Sequence, residues 1–163
     1  MEELWTPWRM RYITSPPRED GCVFCRLQQG ADDDGLILQR GPNCFVVMNL
    51  FPYAVGHTMV IPYRHLGRLS ELTTEELAEL GTAAARTEGI LRQTLGADRV
   101  HHGINLGRPA GAGVEGHLHL HLVPFGRRIP TEAEGTELPV PLATTSARLR
   151  GAFDETLRNP APR

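Results

Sequence analysis

The chain has no lysine: all 17 of its basic residues are arginine. The bias reads as codon usage in a GC-rich genome more than as a set of bidentate phosphate forks. Positive charge in excess is also missing, since the formal net charge is −2. That excludes a general polyanion binder, so a phosphate group must be held by local chemistry, and a small nucleotide is easier to accommodate than a duplex. Cysteine is scarce, with three residues. An odd count in so long a chain argues against a disulfide framework, and the pair in Cys22-Val-Phe-Cys25 reads as a metal or redox pair of a reducing compartment. No apolar run approaches a membrane span, and the start, Met-Glu-Glu-Leu-Trp-Thr-Pro-Trp, lacks the basic-then-apolar profile of a signal peptide. The expectation is a cytoplasmic protein with neither a membrane nor a nucleic acid as partner. At 163 residues and 40% hydrophobic, the chain fits one domain, 1–163, with a core that needs no staples.

What is present concentrates in Gly116-His117-Leu118-His119-Leu120-His121-Leu122-Val123-Pro124. Three of the seven histidines alternate here with leucine. Successive side chains of a strand point to opposite faces, so the imidazoles share one face and the leucines the other. A helix would scatter them, because positions two apart sit about 200° around its axis. Three imidazoles on one face repel when protonated, so a use for them is implied.

In chain order, residues 4–13 hold both tryptophans, two arginines and a tyrosine, and read as a segment (within 1–21) that docks on the body or on a second subunit. After the cysteine pair, Arg26 to Gly30 suggests a short helix closed by glycine. Asp32-Asp33-Asp34 reads as a solvated loop. Leu36–Arg40 and Cys44–Asn49 predict a hairpin across Gly41-Pro42-Asn43, and His57–Pro62 a third strand ended by its proline. From Thr73 the period changes: Leu77, Leu80, Ala84, Thr87, Ile90, Leu91 and Leu95 predict a long amphipathic helix, with Thr73 and Glu76 as a capping box and Gly96 as the stop. Gly81 and Gly89 lie inside it, and close packing is the expected reason they are tolerated. A strand at Val100 to Leu106 precedes a glycine-rich loop, 107–116, and a helix near Ala143–Leu157 follows the histidine strand. His101 and His102 are expected to be partly exposed sheet residues, and Cys44 an inert core thiol.

A glycine-rich loop lets backbone N–H groups converge on phosphate oxygens without a lysine. Beside it, a neutral imidazole can attack phosphorus while a neighbour supplies the leaving group's proton, with His119 as nucleophile. A histidine-bound zinc competes for the same face, but Cys22 and Cys25 are softer ligands. They need two more, for which His65 and one histidine of the triad are the candidates.

His-Leu-His-Leu-His-Leu-Val resembles the signature of the histidine triad (HIT) superfamily. Asn49-Leu-Phe-Pro-Tyr-Ala-Val-Gly56-His57-Thr-Met-Val-Ile-Pro-Tyr-Arg-His65 is similar to the strand-loop-strand before the long helix of those proteins. The likeness covers about 22–124, leaving 125–163 as an extension, and the 4–13 segment resembles the bacterial branch close to diadenosine tetraphosphate phosphorylases. The resemblance implies an α+β fold: a five-stranded antiparallel sheet with one long helix and a C-terminal helix, paired as a homodimer. It implies nucleotidyl transfer or hydrolysis at the α-phosphate of a diadenosine polyphosphate, with a nucleotidyl-histidine intermediate and no catalytic metal. His119 matches the nucleophile, His121 a phosphate contact and His57 a further histidine of the site. Asn49 matches the ribose ligand, with Val47 and Leu50 near the base; Asn105 and Gly111-Ala112-Gly113 match the phosphate-binding segment. A structural zinc is implied on Cys22, Cys25, His65 and His117. Gly113 stands where many hydrolases and phosphoramidases of the family carry glutamine, and the loop looks one residue longer, which leans toward phosphorolysis. Hydrolysis, an adenosine phosphoramidase, and a zinc-binding nucleotide sensor without turnover are the competing readings.

Overall fold

Short runs of β-branched and apolar residues between turns pair into one sheet. In the computed structural model, which describes residues 21–30, 36–107, 113–127, 129 and 141–158, these runs are β1 (Ile37–Arg40), β2 (Cys44–Met48), β3 (Thr58–Pro62), β4 (Arg99–Ile104) and β5 (Leu120–Phe125). They form a five-stranded antiparallel sheet in the order β1-β2-β3-β5-β4. Among the described residues, three α-helices complete an α+β fold: α1 (Val23–Leu27), α2 (Thr74–Leu95) and α3 (Leu142–Arg158). The tryptophan-rich segment, the Asp32–Asp34 run, Gly111 and Ala112 lie outside the described residues.

The alternation of side chains divides the sheet into two working faces. Val46, Met48, Val60, Leu118 and Leu122 meet Leu80, Ala84, Ile90 and Leu91 of α2 and Leu149 and Phe153 of α3 in the main core. Phe45, Val47, Met59 and Ile61 point the other way and pack with Ile37 and with Phe24 of α1. Fully buried side chains such as Leu91 and Phe45 each stabilise the fold by about 1.5–3 kcal/mol.

The capping box of α2 forms as expected: Thr73 Oγ1 accepts from the Glu76 N–H at 3.2 Å, and the Glu76 carboxylate accepts from the Thr73 N–H at 2.8 Å. Gly96 ends the helix with φ of 71°, a left-handed conformation that glycine adopts without strain. Two expectations fail along this helix. Leu77 is 52% exposed, and its turn turns Glu76 inward instead, where Arg64 bonds the carboxylate at 2.6 and 2.7 Å. A Cβ at Gly81 or Gly89 would meet nothing within 4 Å, so close packing is not what tolerates these glycines.

The ends of two other elements also shift. The first helix begins at Val23 rather than Arg26, which brings Cys25 into it and makes Cys22 its N-cap. Arg40 of β1 donates to the Gln28 and Gly30 carbonyls, each at 3.0 Å, and so closes the end of that turn in place of glycine alone. The histidine strand begins at Leu120, leaving His117 and His119 ahead of the ladder. There the chain is held by a different bond, from the Leu118 N–H to the Leu66 carbonyl at 2.7 Å. The facing is still alternate, with the leucines in the main core and the histidines on the opposite side. His101 and His102 are exposed on β4, and His102 lies 3.2 Å from the Glu88 carboxylate.

Candidate functional site

Two clusters of side chains meet on the sheet face that α2 does not cover. The first is built from α1, the loop after β3 and the segment entering β5. Cys22 Sγ lies 3.2 Å from His117 Nδ1, Cys25 Sγ lies 3.3 Å from His65 Nδ1, and Cys25 Sγ lies 3.6 Å from His117 Nδ1. The four donor atoms all lie within 4.8 Å of one another. Tetrahedral zinc, bound at about 2.3 Å by sulfur and about 2.0–2.1 Å by nitrogen, sets its ligands roughly 3.3 to 3.8 Å apart, so the donor set fits that ion. The protonation chemistry fits as well. Burial and the neighbouring Cys22 sulfur push the Cys25 thiol up, a crowding that a cation between the sulfurs relieves. Burial pushes the His117 imidazole down toward its neutral form, the form that ligates metals.

Gly116, with φ of 82°, turns the chain into this segment in a conformation that favours glycine, and a Cβ there would lie 3.6 Å from His65 Nε2. His117 Nε2 lies 2.9 Å from the Pro62 carbonyl. A carbonyl only accepts, so Nε2 carries the hydrogen and Nδ1, facing the cysteines, keeps its lone pair.

The second cluster follows two residues on. His119 Nδ1 lies 2.8 Å from the His117 carbonyl, which by the same argument leaves the lone pair of His119 on Nε2. His57 is completely buried, with Tyr53 stacked on its ring at 5.2 Å and 15°. Its Nδ1 accepts from the Tyr53 backbone N–H at 3.1 Å, so its hydrogen sits on Nε2 and points to His121 Nδ1 at 3.0 Å. His121 in turn keeps its hydrogen on Nε2. The ring centroids of His119 and His121 are 4.8 Å apart, at 75°. Backbone groups thus dictate the tautomers of His117, His119 and His57, and His57 passes its own on to His121. The arrangement offers a nitrogen lone pair on one ring and a proton on the next, which is what nucleophilic attack with leaving-group protonation requires.

Asn49 is buried beside this chain. Its Oδ1 accepts from the Phe51 N–H at 2.9 Å, which turns its amide nitrogen to within 3.3 Å of His57 Nε2. Val47 is buried in the apolar cluster of the same face, whereas Leu50 is 57% exposed. Asn105 follows β4, one residue beyond the pair of Ile104 with Leu120 that ends the ladder. Gly113 begins the described part of the loop, and Val114 after it packs on the same apolar cluster.

A family model of the HIT domain matches residues 31–127, more than half of the chain. The chain belongs to the HIT family. Among its HIT relatives, an AP-4-A phosphorylase of Mycobacterium tuberculosis is 38% identical over 135 residues, covering 76% of this chain and 68% of that protein. A bis(5'-adenosyl)-triphosphatase of Dictyostelium discoideum is 35% identical over 80 residues, 49% of this chain and 53% of the other. Among solved structures, a zinc-bound histidine triad family protein from Mycobacterium smegmatis superposes with a TM-score of 0.70 at 27% identity, covering 85% of this chain and 96% of that one.

Within this HIT fold, three contributors to the site, Phe24, Tyr53 and Pro62, escape a reading of motifs, as does the part played by the His117 carbonyl. Pro62 and His117 act through carbonyls and Tyr53 through its N–H, and main-chain groups leave no residue signature. Phe24 does have a signal, its place between the two cysteines, and its ring touches both clusters.

Proposed function

We propose that the protein is a nucleotidyl-transferring enzyme acting on dinucleoside polyphosphates. In this reading His119 Nε2 attacks the α-phosphorus and forms a P–N bond as the P–O bond to the departing nucleoside polyphosphate breaks. His121 attends the phosphate and, through its Nε2–H, serves the leaving oxygen, with His57 holding its tautomer. An oxygen of inorganic phosphate then attacks the same phosphorus, and the P–N bond breaks to restore His119. Asn49, Val47 and Leu50 take the nucleoside, and Asn105 with Gly111, Ala112 and Gly113 the phosphates.

The observation that carries the reading is the hydrogen bond from His119 Nδ1 to the His117 carbonyl, which presents a lone pair at Nε2 without a separate base. The likeness to the AP-4-A phosphorylase supports phosphate as the acceptor. The likeness to the bis(5'-adenosyl)-triphosphatase favours a second reading, with water in that place. Product analysis separates the two. With diadenosine tetraphosphate and phosphate, phosphorolysis yields ADP plus ATP, whereas hydrolysis yields AMP plus ATP whether or not phosphate is present. Full turnover by His119→Ala would overturn both.

We further propose that Cys22, Cys25, His65 and His117 hold a structural zinc, supported by the donor geometry and by the zinc-bound relative. The ion supplies a cross-link between α1 and the segment entering β5, and takes no part in the phosphoryl steps. Metal analysis should find about one equivalent per chain; less than about 0.2 equivalents in protein purified without chelator argues against it, given how strongly such sites hold zinc. A homodimer belongs to the same proposal. β4 and β1 are the edges of the sheet, and a second copy joining at an edge would satisfy its outward ladder groups.

A further inference from the structure

Phe24 occupies a position that neither cluster explains alone. Its backbone lies in α1, between the sulfurs of Cys22 and Cys25, so whatever holds the cysteines also holds this residue. Its ring meets the edge of His117 at 5.5 Å and 88°, and leans on His119 at 5.1 Å and 57°. It is 5% exposed and belongs to the buried apolar cluster of Ile37, Phe45, Val47, Met59 and Ile61, so it has little room to swing away. His119 is also tied on its other side to the His117 carbonyl. One nitrogen is thus fixed by the backbone of a metal-ligand candidate, and one ring surface by the residue between two more.

We infer that Phe24 is a positioning residue that couples occupancy of the Cys22, Cys25, His65, His117 centre to the orientation of the His119 ring. The inference rests on the reading of His119 as the nucleophile. An imidazole hydrogen-bonded at Nδ1 can still tilt about that bond. A tilt carries Nε2 sideways, and a misplacement of about 1 Å costs roughly a hundredfold in rate. The aromatic wedge removes that freedom. With the ion lost, the two ends of α1's first turn are no longer pinned, and the wedge loosens with them.

The test uses the zinc-loaded protein and reads the His119 ring by NMR, where a proton held on Nδ1 by a carbonyl gives a downfield, slowly exchanging resonance. Phe24→Leu, Phe24→Val and Phe24→Ala shorten the wedge in steps, so the trend is readable from whichever variants fold. The resonance should persist in Phe24→Leu and broaden through Phe24→Val to Phe24→Ala. Over the same series kcat should fall by about tenfold to a hundredfold, with amide shifts of α2 and α3, which pack in the other core, unchanged. Removing zinc from the unsubstituted protein should broaden the same resonance. A sharp His119 signal in Phe24→Val or Phe24→Ala, with kcat within about twofold, overturns the inference. So does a signal indifferent to zinc removal. Failure of the catalytic reading itself looks different: His119→Ala would turn over normally, while the dependence of the ring signal on Phe24 and zinc would be untouched.

Discussion

Replacing His57 by phenylalanine isolates what the buried imidazole contributes beyond its bulk. The phenyl ring fills nearly the same space and retains the stacking against Tyr53, so little packing energy is lost. Two of the polar contacts that go matter most: the acceptor for the Tyr53 N–H at 3.1 Å and the donor to His121 Nδ1 at 3.0 Å. His121 can shift its own hydrogen, but the Tyr53 amide is left facing a hydrocarbon edge, at a cost of about 1–3 kcal/mol. For a chain of 163 residues, each kcal/mol moves Tm by about 2–4 °C, so a central value of 2 kcal/mol lowers it by about 6 °C. The kinetic consequence is separate. Once His121 is free to place its hydrogen on Nδ1, Nε2 no longer presents a proton to the leaving oxygen, and kcat should drop by roughly a hundredfold, the low end of a general acid's contribution. Calorimetry and the dinucleotide assay on one preparation read both effects. A Tm within about 1 °C of the parent, together with unchanged kcat, would refute the tautomer argument.

Three more expectations follow from particular side chains. Gly81→Ala should stabilise the protein by about 1 kcal/mol, because a Cβ there meets open space; a lower Tm on thermal unfolding counts against it. Hydrogen bonds from Arg64 and then from the Thr73 backbone hold the Glu76 carboxyl at about 2, below its ordinary value of 4.5. The stability it adds is therefore present above pH 4.5 and lost as pH falls toward 2, so Glu76→Gln should flatten unfolding curves across that window, and an unchanged acid limb would contradict this. Burial, with the Glu79 carboxylate beside it, pushes the Cys44 thiol up to about 12, so native protein at pH 8 should resist alkylation at Cys44, and prompt labelling seen by mass spectrometry would count against the buried placement.

The elements that periodicity controls are legible in the sequence. β2 reads correctly because its valines and phenylalanine pack on both faces of a sheet, and α2 because its caps and its three-and-four spacing agree. The cysteine–histidine cluster was legible as residues, with the resemblance naming which histidine of the triad lies beside the cysteines. What stayed hidden depends on tertiary partners. Nothing local says that Leu77 will be left in water while Arg64 draws Glu76 inward, or that Arg40 will close α1 from another element. The tautomers were the least accessible part, since they are set by carbonyls and amides that every residue possesses.

The place where β5 begins divides the row of histidines by how firmly each is rooted. His121 sits within a strand paired on both sides, with Met59 of β3 and Gly103 of β4. Amides in so central a strand exchange with solvent only when the whole sheet comes apart. His117 and His119 precede that ladder, and their segment is fastened by the Leu118 bond to Leu66 and by side chains. That segment can open while the sheet stays closed. The row is therefore anchored at one end in the last part of the molecule to melt, and at the other in a stretch whose hydrogen exchange should slow when the cysteine–histidine centre is filled.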